Sequence, residues 1–151
     1  MKKTHYILLL MSIVVMFNMN FKAQQRENFI DSGRIKSREP IGMTFNKIEK
    51  GISSGKVSEL SAYFSSQMYL NLSNGISGYY SSNQAYYILE DFFDTYHVTE
   101  FKFDNIQNEE SSLYATGSYH FLFKGKRDVA QVYVSVRQAG KKWKITQINI
   151  N

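Results

Sequence analysis

The chain has 151 residues, enough for one domain of ordinary size and too few for two. Hydrophobic residues make up 43% and charged residues 21%, which is globular and excludes a disordered, collagenous or coiled-coil chain. There is no Cys, so disulfides, thiolate metal sites and a Cys nucleophile are excluded, and 18 basic against 13 acidic residues give a formal charge of +5.

Much of that charge sits at the start. Lys2 and Lys3 precede an apolar run from Tyr6 to Phe17, followed by a polar stretch. A basic start, a short apolar run and a polar exit are the pattern of a signal peptide, and the run is too short to span a bilayer. Ala23 is the small residue where cleavage falls, so residues 1–23 are predicted to be removed and the mature protein to be periplasmic or secreted, with no membrane partner afterwards. The remainder keeps 15 of its basic residues against 13 acids, a net charge of +2. No basic stripe survives, because Lys124, Lys126 and Arg127 lie at one turn and Lys141, Lys142 and Lys144 at another; nucleic acid is not an expected partner. Residues 24–39 are polar and aperiodic and read as a flexible leader; residues 40–151 read as a single domain.

Pro40 opens a first helix, with Ile41, Phe45, Ile48 and Ile52 on one stripe and Gly51 and Gly55 ending it. A short second helix carries Val57, Leu60 and Phe64. Residues 67–72 read as a strand, Asn74-Gly75 as a turn and Gly78–Tyr80 as a short extended piece. The third helix opens on a capping box, Ser81 with Gln84. Ala85, Leu89, Phe92 and Tyr96 share its buried face, flanked by Ile88 and Phe93. Glu90, Asp94 and His97 lie opposite, at a spacing that could ligate a metal; a solvated helix face is the preferred reading, and no metal or cofactor is expected.

From Val98 onward the chain alternates. Leu113, Ala115, Gly117, Tyr119, Phe121 and Phe123 form one apolar set, and Ala130, Val132, Val134 and Val136 another. With Gly125-Lys126 as a two-residue loop, Phe121 faces Ala130, Tyr119 faces Val132 and Tyr114 faces Arg137. With Ala139-Gly140 as the next loop, Val136 faces Trp143, and a bulge near Thr146-Gln147 returns Ile148 and Ile150 to the apolar side. A turn at 109–111 sets Phe101 beside Tyr119 and Phe103 beside Gly117. The expected fold is α+β, with N-terminal helices packed on the concave, apolar face of a curved, mainly antiparallel sheet.

This order resembles the nuclear-transport-factor-2-like superfamily, the cone-shaped, cystatin-like fold that includes ketosteroid isomerase. Residues 80–93 (YSSNQAYYILEDFF) and 117–150 (GSYHFLFKGKRDVAQVYVSVRQAGKKWKITQINI) are similar to an exported bacterial family known as domain of unknown function 4783. The resemblance implies a sheet wrapped on helices, often a cavity between them, and dimerisation through the outer sheet face. It implies no activity, since enzymes and binding scaffolds share the fold.

Isomerase-type relatives work with a carboxylate inside the cone. Here Glu49, Glu59, Glu90, Asp91, Asp94, Asp104 and Asp128 all read as pointing away from the interior or lying at its margin, and no catalytic residue is assigned. A small apolar ligand in the cone would meet Phe45, Phe92, Tyr96, Phe101, Tyr119 and Trp143. A protein partner on the outer face would meet Tyr114, His120, Tyr133 and Arg137. The expected function is a non-catalytic exported domain binding one or the other. An isomerase or dehydratase using Tyr119, and a homodimeric structural module, are the alternatives.

Overall fold

A computed structural model describes residues 40–109 and 112–151, apart from the side chains of residues 108, 109 and 112. The predicted signal segment, the leader and most of the turn at 109–111 lie outside the described residues. Four apolar residues on one stripe make helix α1, Ile41–Ser54, with Phe45, Ile48 and Ile52 fully buried. It ends at Gly55, whose φ of 64° allows the left-handed cap: Gly55 N–H bonds Ile52 O and Lys56 N–H bonds Gly51 O. Gly51 does not end the helix, contrary to expectation. It lies inside the helix against Leu60, where a Cβ would come within 2.6 Å of Leu60 Cδ2. Its role is to let α1 approach helix α2, Val57–Leu60. A 3-10 turn, Ser61–Tyr63, follows, and Phe64 begins strand β1, Phe64–Leu72, rather than closing the second helix.

Strand β2, Ser77–Ser81, pairs antiparallel with β1 after a turn at Gly75, φ 91°. Helix α3, Ser82–Thr95, begins with the capping box read from the sequence: Gln84 N–H donates to Ser81 Oγ and Ser81 N–H to Gln84 Oε1. Its buried face is Ala85, Leu89, Phe92 and Phe93. Strands β3, His97–Glu109, β4, Ser112–Phe123, β5, Lys126–Ala139, and β6, Lys142–Ile150, complete a six-stranded sheet of order β2-β1-β6-β5-β4-β3. The curved sheet is α+β in layering, with the helices on one side, and mixed: β1 and β6 run parallel and every other neighbour antiparallel.

Both predicted hairpin registers are off by two residues. Tyr119 faces Ala130 and Tyr114 faces Ser135, because the β4–β5 loop is Lys124-Gly125. Lys124 and Gly125 take φ of 49° and 77°, the pair of left-handed residues that suits the strand twist. Likewise the β5–β6 loop is Gly140-Lys141, so Trp143 faces Gln138 and Val136 faces Ile145. A slip of two preserves side-chain parity, so the two alternating apolar sets of β4 and β5 still reach the concave face. The bulge at Thr146 is present: Val136 pairs with Ile145 and Ser135 with Gln147. Phe101 lies opposite Tyr119 and Phe103 opposite Gly117, as read from the sequence.

Gly117 is where two strands come closest. A Cβ there would stand 2.2 Å from Lys102 O. That contact is with backbone and has no rotamer to relieve it, so only glycine fits beside the irregularity between Phe103 and Asn105. Gly117→Ala should therefore lower stability by about 2–4 kcal/mol, with the β3–β4 pairing displaced. Gly51→Ala meets the fully buried Leu60 side chain at Cγ and Cδ2, which can give way only against the core; the gain in helix propensity offsets part of that strain, so the loss should be about 1–2 kcal/mol, smaller than at Gly117. Urea unfolding of the two variants checks the contrast.

Candidate functional site

The concave interior is lined by aromatic rings from α3, β3 and β4. Phe92 and Phe93, adjacent on α3, both reach Tyr119 on β4, with centroids 6.2 and 6.1 Å away. Phe101 lies 6.4 Å from Tyr119 and 5.0 Å from Phe103, which meets Phe45 of α1 at 5.6 Å. Tyr96, at the end of α3, stacks on Phe92 and on Phe123, each at 4.7 Å. Phe45, Phe92 and Tyr119 are wholly buried, Phe101 nearly so, and Tyr96 half-buried. Five of the six residues predicted for the pocket thus belong to one chain of touching rings.

Trp143 does not join them. The two-residue slip places it opposite Gln138, eight positions along β5 from Ala130, the partner of Tyr119. That is about 26 Å of strand, so one small ligand cannot touch Trp143 and Tyr119 together. Trp143 is half-buried at the other end of the sheet.

The Tyr119 hydroxyl, the one polar tip expected on the central strands, donates to Tyr96 O at 2.6 Å. Burial pushes its phenol well above the ordinary tyrosine range. Sequence reasoning missed a second interior polar group. Thr44 on α1 is fully buried, and its Oγ1 has no hydrogen-bond partner among the described residues. Its position one turn from Ile41 and Ile48 was the available signal.

Among the described residues, Glu59, Glu90, Asp91, Asp94, Glu100, Asp104 and Asp128 are exposed. Glu49 is half-buried at the α1–β3 contact, where its Oε2 accepts Phe103 N–H at 2.8 Å. It satisfies backbone on strand β3 beside the irregularity. Asp104 accepts from Ser118 Oγ at 3.1 Å on the outer face. His97 is the first residue of β3, since α3 ends at Thr95; the helical spacing of Glu90, Asp94 and His97 therefore does not carry through.

The outer face has a different character. One row crosses all six strands as Tyr79, Tyr69, Gln147, Ser135, Tyr114 and Gln107. The next is Ser77, Asn71, Asn149, Tyr133, Thr116 and Asn105. Neither row holds a charged residue. Tyr114 and Tyr133 stack diagonally with centroids 5.0 Å apart, and Gln147 Nε2 donates to Asn149 Oδ1 at 3.0 Å. The structure therefore joins two of the four predicted interface residues. His120 and Arg137 share this face but lie toward opposite ends of it, His120 facing Glu100 and Val129, and Arg137 facing Lys144. Tyr69 and the amide positions of β6 were missed, because the parallel β1–β6 pairing that brings them in is not a hairpin.

Residues 45–151 match the model of the domain of unknown function family DUF4783. The chain belongs to that family. A DUF4783 protein of Bacteroides uniformis superposes with a TM-score of 0.63 at 20% identity, covering 70% of this chain and 94% of its own. A DUF4783 protein of Bacteroides ovatus gives 0.62 at 18%, covering 76% and 94%. A hypothetical protein of Catenulispora acidiphila with a ketosteroid-isomerase-like fold, in complex with trimethylamine, gives 0.57 at 10%, covering 71% and 82%. The fold of this DUF4783 member is thus the nuclear-transport-factor-2-like cone. No curated protein matches its sequence.

Tyr119→Phe should cost about 1–2 kcal/mol, since Tyr96 O loses its donor. The raised phenol pKa has a sign: the folded state keeps the proton longer, so stability is full below about pH 10 and falls as pH rises above it. The urea midpoint of the wild type should drop between neutral pH and strong alkali by more than that of Tyr119→Phe.

Proposed function

We propose that this DUF4783 domain is an exported, non-catalytic binding module that receives a protein partner on its outer sheet face. The observation that carries the reading is the pair of uncharged rows across all six strands, with Tyr69, Tyr114 and Tyr133 set among amides and hydroxyls. Interface centres are enriched in tyrosine and poor in lysine and carboxylate, and the ionisable residues His120, Lys102 and Arg137 stand at the margins of this belt as a rim does. The interior supports a structural role for its rings: Tyr119 commits its hydroxyl to Tyr96 O, and Phe92, Phe93 and Phe101 surround it. Export rests on the basic start and the apolar run of residues 1–23.

A second reading, a small apolar ligand held in the cone, is favoured by one observation. An unpaired, fully buried hydroxyl costs about 1–3 kcal/mol, and Thr44, buried in an otherwise apolar layer, has no partner among the described residues. A ligand carrying one hydrogen-bonding group among apolar atoms would satisfy it.

The two readings part on a capture experiment with envelope extract of the source organism. Under the leading reading, one protein is retained by the wild type and by Tyr119→Phe, and its retention drops at least tenfold with Tyr133→Lys, with the fold checked by circular dichroism. Retention indifferent to Tyr133→Lys and Thr116→Lys overturns the outer-face reading. A small molecule that binds the wild type and is lost on Thr44→Val favours the cone. Turnover of a substrate that is lost on Tyr119→Phe or His120→Ala overturns the non-catalytic assignment itself.

A further inference from the structure

The sheet has two edges, and the sequence treats them differently. On β3 the outward backbone is covered: Ser53 Oγ donates to Phe101 O at 2.9 Å, and Glu49 accepts Phe103 N–H. The same strand is irregular between Val98 and Glu100 and between Phe103 and Asn105, and it carries Glu100, Lys102 and Asp104. Bulges, charges and a covering helix are the usual guards against edge-to-edge pairing.

Among the described residues, strand β2 has none of these along Ser77–Tyr80; only the N–H of Ser81 at its end is held, by Gln84 Oε1. Its sequence is Ser-Gly-Tyr-Tyr-Ser, without charge or proline, and its register with β1 is regular from Ser77 to Ser81. Leu72 N–H bonds Ile76 O, which fixes the alternation of the hairpin. Gly78 and Tyr80 then turn their backbone groups to β1, and Ser77 and Tyr79 turn theirs outward. Tyr79 is 71% exposed, the most exposed large hydrophobic residue among those described.

We infer that β2 is a self-association edge whose occupant is β2 of a second copy of this chain, paired antiparallel about a two-fold axis at Tyr79. In that register Ser77 meets the partner's Ser81, Gly78 meets the partner's Tyr80 and Tyr79 meets itself. The outward groups of Tyr79 form a hydrogen-bonded pair across the axis, while the Ser81 carbonyl, as the helix N-cap, is committed to the first turn of α3 and takes no part. Ser81 N–H is already held by Gln84 Oε1, so no outward donor of the strand opposes another. A two-fold axis brings each strand against its own sequence. A charged residue at its centre would meet itself, which the composition of β2 avoids and that of β3 does not. The result is one continuous sheet across two molecules, and the outer belt is doubled in length. This association uses the strand edge, so it stands or falls independently of a partner on the sheet face.

The absence of cysteine makes a clean test. In a Tyr79→Cys variant, the paired Cα atoms would lie about 5.5 Å apart, within disulfide range. Oxidation should convert this variant to a covalent dimer, while Tyr133→Cys on the sheet face should stay monomeric. Sedimentation of the wild type should show reversible dimers, and Tyr79→Pro should weaken them at least tenfold. That change removes one outward N–H and leaves the β1 ladder intact; because it also forfeits the Tyr69–Tyr79 ring contact, an unchanged circular dichroism spectrum verifies the fold. A wild type that stays monomeric at millimolar concentration, dimers indifferent to Tyr79→Pro, or oxidative cross-linking of the Tyr133→Cys variant but not of the Tyr79→Cys variant would each overturn the inference.

Discussion

The packing of helix α3 onto strand β4 through Tyr119 holds the rest in place. Acids late in a helix oppose its dipole, and α3 carries Glu90, Asp91 and Asp94 in its second half with no basic residue in its last turn. Its stability therefore comes from the buried face. Phe92 and Phe93 bear on Tyr119 from the helix, Phe101 from the neighbouring strand, and the phenol ties the sheet to the helix end at Tyr96 O. Ring contacts of this kind are worth about 0.5–1.5 kcal/mol each beyond their area. The interlock fixes where the helix ends and hence where β3 begins, at His97.

The consequence for function is a division of labour between the two faces of one sheet. The inner face uses its aromatic residues to hold the helices. Alternation then delivers the remaining side chains of the same strands to the outer face, where Tyr114, Thr116, Tyr133 and Ser135 face solvent with nothing charged between them. The guarded β3 edge and the bare β2 edge extend the asymmetry to the backbone.

Local signals were the legible ones. The Ser81–Gln84 box, the stripe of α1 and the period-two alternation of β4 and β5 are each decided within a few residues, and each is present. The cone-shaped fold followed from their order. The hairpin registers were not legible, because a slip of two keeps the alternating apolar sets inward and so leaves no trace in the pattern. Only the backbone preference of Lys124-Gly125 separates the alternatives. That slip removed Trp143 from the aromatic cluster. The parallel β1–β6 pair joins residues more than seventy positions apart and carries no loop signature, so Tyr69 was not placed with Tyr114. Thr44 was hidden by its neighbours, since a hydroxyl on an apolar stripe reads as part of it.

The central claim is that the interior is occupied by the protein's own rings and that recognition happens outside it. Native mass spectrometry of the protein purified without denaturation from its own cells tests this most directly. The account predicts the mass of the mature chain or of integral multiples of it. A stoichiometric excess of a few hundred daltons that disappears in Phe92→Ala, while that variant remains folded, would contradict it.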